Sequence, residues 1–270
     1  MNLSTRKILQ FISGVMTILM LASCSQDSPS GSVDTTVEQS QYQPPAQVRN
    51  ATYLWSAEPG IDLLDDRGRL IRAAYEAMII SSYGGLHVTY PGFVDALDLE
   101  FALGIGTRSD QSLAGTARAH ILQITETNTG FKATVCSQLS KFAIRWPDGG
   151  YRISNFSGME EYVEFNHVVY DAHNPRLDPR RVLGHRWPTT QTAVPGTNDG
   201  EPYDGPQWSA PTEDLFSDSG FTITFGADLG ETMHRCEDWG RGIEPDVPAE
   251  GSETIRSPIP PKTLPAYPGW

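Results

Sequence analysis

Cysteine is scarce in this chain. There are three in 270 residues, and none stands in a CxxC pair, which argues against a metal site or a catalytic thiol. No Walker sequence and no GxSxG elbow occurs, and Gly104-Ile105-Gly106 belongs to no complete GxGxxG. Phosphate cradles and the hydrolase nucleophile turn are therefore not legible, and no cofactor or metal is expected. Bases are also short, with 20 Lys and Arg against 33 Asp and Glu, for a formal charge of −13. Such a surface is repelled by phosphate backbones and anionic headgroups, which disfavours a nucleic-acid partner. Past residue 23 no apolar run is long enough to span a bilayer, and no internal repeat is visible.

What is present begins at the N-terminus. Arg6 and Lys7 precede an apolar run from Ile8 to about Leu21, the layout of a signal peptide over residues 1–23. Leu21-Ala22-Ser23-Cys24 follows directly and resembles the lipobox of bacterial lipoproteins. The resemblance implies acylation of Cys24, cleavage before it, and anchoring to the outer face of the cytoplasmic membrane or cell envelope. Two or three acyl chains suffice for a stable anchor, at ~0.8 kcal/mol per buried methylene. An ordinary secretory signal with a chance cysteine, or an uncleaved anchor, is the alternative. Residues 24–50 are rich in Ser, Gln, Pro and Thr and read as a lipidated cysteine followed by a disordered tether.

If Cys24 is acylated, Cys136 and Cys236 remain as an even pair in an oxidising compartment. A disulfide is expected between them, with two separately buried thiols as the alternative. The mature length fits a single domain over 51–242.

Asp65 and Asp66 precede Leu70, Ile71, Ala74, Tyr75, Met78 and Ile79, with Gly84-Gly85 behind them. That spacing predicts an amphipathic helix with an acidic cap and a glycine stop. Phe93 to Phe101 predicts a second, short helix, followed by a loop through Gly104, Gly106 and Gly115. Ala119–Glu126 and Phe131–Ser137 flank Asn128-Thr129-Gly130 as a hairpin. In its second strand Cys136 points away from the row of Phe131, Ala133 and Val135. Lys141–Trp146 and Tyr151–Phe156 predict a second hairpin, and Tyr162–Tyr170 and Phe221–Phe225 two further strands. A long, proline-punctuated loop spans 174–214. Glu231–Trp239 predicts a short helix bearing Cys236. The segment 243–270, with seven prolines, reads as an extended or disordered tail.

Helices followed by antiparallel hairpins argue for an α+β fold in which N-terminal helices pack on a curved antiparallel sheet. The element order over Asp65–Tyr170 resembles the NTF2-like cone fold, which implies a pocket on the concave face. The whole chain is also similar to uncharacterised secreted lipoproteins of actinobacterial type, a group that implies no activity.

In a continuous strand His167 joins the apolar row of Val163, Phe165 and Val169, and Asp171 and His173 share its parity. His167 with Asp171, and with His120 from the first strand, are the candidate pocket residues for acid–base chemistry. A core histidine at 167 and an exposed one at 120 are the competing readings. His167 cannot share a metal with His173 unless the chain bends, because strand residues two apart are separated by ~6.6 Å and residues four apart by ~13 Å; only Asp171 and His173 are plausible neighbours. Trp187 and Trp208 mark the long loop as a candidate binding surface, or pin it to the core. Arg176, Arg180, Arg181 and Arg186 could hold an anionic ligand, but in so acidic a chain they are read as local ion-pair formers. The expectation is a non-enzymatic binding or accessory protein, anchored to the membrane and meeting an envelope protein or a small apolar ligand. The alternative is an NTF2-like pocket enzyme using His167.

Overall fold

The computed structural model describes residues 42–154, 158–167, 204–227, 233–246 and 254–270. Within them the fold is α+β: a few helices and one eight-stranded, mostly antiparallel sheet. A strand, not a helix, comes first. β1 (Asn50–Ala57) turns Ala51, Tyr53 and Trp55 inward and precedes α1 (Asp66–Gly84). Two short helices, α2 (Phe93–Ala96) and α3 (Leu99–Gly104), lead to the long β2 (Ser112–Glu126). Then come β3 (Gly130–Gln138), β4 (Phe142–Arg145), β5 (Tyr151–Ser154) and β6 (Met159–His167). β7 (Phe221–Gly226), α4 (Met233–Ile243) and β8 (Thr254–Ser257) complete the order. Helices expected to open the domain are thus preceded by a strand whose partner lies more than fifty residues on.

The path across the sheet is β7-β6-β3-β2-β4-β5-β8, with β1 on β2 in parallel. β1 pairs with Ala114–Ile121, a stretch that overlaps the partners of both β3 and β4. It therefore occupies one edge of β2, while β3 and β4 run in succession along the other. The junction between them is marked by Gly115, expected in a loop but found inside β2. Its φ of 92° suits glycine alone, and an added Cβ would lie 2.3 Å from the Lys141 carbonyl oxygen.

α1 starts where its acidic cap predicts, since Asp65 Oδ1 accepts from the Gly68 amide at 2.7 Å. Its amphipathic reading needs correction: residues 70–77 are all buried, so the helix is enclosed on most sides. One side meets the sheet through Ala119, Ile121, Val135, Val163 and Phe165; Trp208 and Phe216 join the same core. That second cover explains how Arg72, Glu76 and Ser81, polar by pattern, are buried with the rest. The predicted second helix divides into α2 and α3 at Leu97, which bridges to Ile223 of β7.

Both flanks of the domain are more ordered than their composition suggests. From Tyr42 the expected tether is folded, with Val48 fully buried and the Tyr42 hydroxyl donating to the Val88 carbonyl at 2.7 Å. The proline-rich tail is extended but held. β8 pairs with β5, and the Tyr267 backbone exchanges hydrogen bonds with Tyr53 and Trp55 of β1. Thr52 Oγ1 donates to the Leu264 carbonyl at 2.7 Å. Prolines cannot donate to a ladder, but the residues between them do.

Cys136 and Cys236 form the expected disulfide, with Cα atoms 5.1 Å apart. It clamps α4 to the face of β3 and β6 opposite α1. Gly158 lets the helix backbone come close, since its φ is 69° and a Cβ there would stand 1.9 Å from the Cys236 carbonyl oxygen.

Candidate functional site

Most buried polar groups on the α1 side bond to one another and serve the fold, although the buried Arg72 Nε has no hydrogen-bond partner. Glu76, 4% exposed, accepts at Oε1 from the Trp55 indole (2.9 Å) and at Oε2 from the Tyr90 hydroxyl (2.7 Å) and the Trp270 indole (2.9 Å). Burial pushes its carboxyl above the ordinary range, against the pull of those donors and of Arg72. Arg72 in turn donates to the Pro268 carbonyl at 2.9 Å and lies 4.1 Å over the Trp270 ring. Tyr90 also accepts from the Trp208 indole at 2.8 Å. Nearby, the Tyr75 hydroxyl donates to Glu161, whose carboxyl is likewise pushed up by burial. The sequence reading missed Glu76; the signal available was its place four residues after Arg72, inside a run of small and apolar side chains.

Trp208 is thereby corrected as a surface residue. It is 5% exposed and packs edge-on against Tyr53 at 5.4 Å, pinning the end of the long loop to the core. Trp187, Asp171, His173 and the four arginines lie outside the described residues, as do Cys24 and the residues before it.

His167 is neither enclosed in an apolar cavity nor part of the core. It is exposed at the end of β6, its ring stacked on Phe221 at 4.2 Å and its amide donating to the Thr129 carbonyl at 2.7 Å. There it lines an open cleft of about 770 Å³ between the start of α1, the β2–β3 turn and the segment before β7. Phe131, Leu70 and Leu215 give the cleft apolar walls. Its rim is charged and partly paired: Arg67 meets Glu126 at 2.5 Å, and Arg69 meets Glu213. Asp214 caps the turn that follows it. Burial opposes its ionisation, but the Ser217 hydroxyl and the amides of Ser217 and Phe216 outweigh this and hold it below the ordinary carboxylate range. His120 lies on the other face of the sheet, so the structure does not bring it to His167.

His120 is also more buried than expected, at 7% exposure. The covering group is Trp239 of α4, whose ring stacks on the imidazole at 5.4 Å and 24°. Nδ1 is 2.9 Å from Ser56 Oγ, and Nε2 is 3.4 Å from Glu58 Oε1. Serine, imidazole and carboxylate thus stand in line.

Among the described residues no group of three or more His, Cys, Asp or Glu could hold a metal ion, and no helix is long and apolar enough to cross a membrane. No family model, no curated protein and no solved structure matches the chain.

Proposed function

We propose that this chain is a lipid-anchored protein of the bacterial envelope, acylated on Cys24, which works by binding an envelope protein or a small, partly apolar ligand. The observation that carries the reading is the cleft beside His167. It combines aromatic and aliphatic walls with a charged rim, the composition of a recognition site. The interior beneath α1, by contrast, is filled by Tyr53, Trp55, Tyr75, Tyr90 and Trp208, so a ligand is met at the surface; a second open hollow of about 640 Å³, beside Met78 and Phe101, lacks a histidine. The positive φ at Gly115, where β2 changes partner from β4 to β3, and the 19-residue α1 support a relation to the NTF2-like cone. The leading β1 departs from the helix-first element order of that fold.

A second reading gives His167 an acid–base role, on the ground that its ring is exposed in the cleft wall. Binding is the better supported of the two, because no hydrogen bond joins the His167 ring to a carboxylate among the described residues.

The test is affinity capture from the native envelope with three forms: the mature protein, Cys24→Ala, and a cleft variant combining His167→Ala with Phe221→Ala. We expect the mature form to carry acylated Cys24 by mass spectrometry and to recover a partner or ligand that the cleft variant loses. Equal recovery by the cleft variant overturns the cleft, and an unacylated N-terminus overturns the anchor.

A further inference from the structure

The face of the sheet opposite the cleft carries a second constellation. Ser56 stands directly across from His120 in the parallel β1–β2 register, and Glu58 follows two residues later, on the same side of the chain. Glu58 is tied in place by its amide, which donates to the Ile121 carbonyl at 3.0 Å. His120 lies opposite Cys136 in the β2–β3 register, so the disulfide holds α4, and with it Trp239, beside the imidazole. Three strands and a cross-linked helix therefore fix the ring.

The protonation pattern follows from the partners. A carboxylate only accepts, so the hydrogen of a neutral imidazole belongs on Nε2, facing Glu58. The lone pair is then on Nδ1, aimed at the Ser56 hydroxyl 2.9 Å away. This is the state a general base needs before it takes a proton from serine, with the two ring nitrogens exchanging the roles they have in the chymotrypsin-type triad. Access follows the same logic. Thr52, four residues earlier on the same face, is buried and bonded to Leu264, whereas Ser56 is exposed. The nucleophile faces solvent and the base sits behind it.

We propose that Ser56 is a nucleophile that accepts the acyl group of an ester, with His120 as its general base and Glu58 as the group that orients the base. Ser56 Oγ bonds to the ester carbonyl carbon as its proton passes to His120 Nδ1. The imidazolium, held by Glu58, returns that proton to the departing alkoxy oxygen as the carbon–oxygen bond breaks. Water then attacks the acyl-serine, giving its proton to Nδ1, and Ser56 recovers a proton as the carboxylic acid leaves. This chemistry is independent of the cleft.

The mature chain, treated with a biotinylated fluorophosphonate and separately with p-nitrophenyl acetate, tests the assignment. The expected result is one phosphonyl adduct, mapped to Ser56 by peptide mass spectrometry, and a burst of one nitrophenolate per chain. Both vanish in Ser56→Ala. The labelling rate falls on the order of 100-fold in His120→Gln, the lower end of what general-base catalysis supplies, and about 10-fold in Glu58→Gln. Glu58 is half exposed, so its variant keeps the test open even if the buried His120 substitution fails to fold. An adduct at Ser56 no faster than at exposed Ser109, or an equal rate in Glu58→Gln, overturns the proposal and shows Ser56 to be a hydrogen-bond partner of a structural histidine. Either outcome leaves the capture experiment on the cleft unaffected.

Discussion

The Trp270 indole nitrogen lies 2.9 Å from Oε2 of Glu76, a hydrogen bond across 194 residues that ties the proline-rich segment to the middle of α1. The same ring takes the Arg72 guanidinium on its face. Trp270→Ala removes a hydrogen bond to a carboxylate, about 1.5–3 kcal/mol, and a cation–π contact of about 0.5–2 kcal/mol. We expect the variant to lose roughly 2–4 kcal/mol of unfolding free energy, read from urea titration. A loss under about 0.5 kcal/mol would mean that the segment merely rests on the domain.

Glu76 also gives stability a pH dependence of defined sign. Its folded pKa is raised by burial, so its contribution is complete below the ordinary glutamate range and declines as pH rises through the raised value. Glu76→Gln cannot titrate and leaves a donor unmet, at a cost of about 1–3 kcal/mol. The stability gap between the natural chain and Glu76→Gln should therefore be widest in acid and narrow toward neutral pH. Paired urea titrations across pH 4–8 measure it, and a gap that widens with pH would reverse the assignment.

Removing the disulfide acts on the unfolded chain. A closed loop of 100 residues restricts that ensemble by up to about 4.7 kcal/mol. Cys136→Ala with Cys236→Ala should lose several kcal/mol, and Trp239, no longer clamped beside His120, should become more accessible to a fluorescence quencher. Unchanged quenching would show that α4 packs without its cross-link.

Trp208 gives a test of core against surface. Its burial and its bond to Tyr90 predict a loss of about 3–5 kcal/mol for Trp208→Ala, the cost of emptying a large aromatic site. A residue kept for binding alone would lose partner affinity with its thermal midpoint intact.

Local signals in the sequence were good guides to local structure. Asp65 as cap, the hairpin turn before Phe131, and the disulfide between the two cysteines left after Cys24 each concern neighbours along the chain or a count, and each is found as expected. What escaped were partners chosen at long range. β1 has a plain alternation, Ala51, Tyr53, Trp55, but nothing near it announces a parallel partner at Ala114–Ile121. His120 alternates onto a polar row with Thr116 and Arg118, which reads as solvent-facing until α4, more than a hundred residues later, lays Trp239 over it. The Ser56–His120–Glu58 alignment was invisible for the same reason, since it exists only through that pairing. His167 follows Val163 and Phe165 on an apolar row as predicted, yet unlike them it is exposed and lines the cleft.

The extended segment along β1 has a consequence for synthesis. A chain made from its N-terminus offers β1, α1 and β2 long before Leu264, Tyr267 and Trp270 exist to complete them. Until those residues emerge, the outer edge of β1 has no partner at Tyr53 and Trp55, and one acceptor position on Glu76 is unfilled. Contacts of such sequence separation close late. The polypeptide therefore stays incompletely folded for most of its translation, a condition hazardous for a nascent strand edge left uncovered.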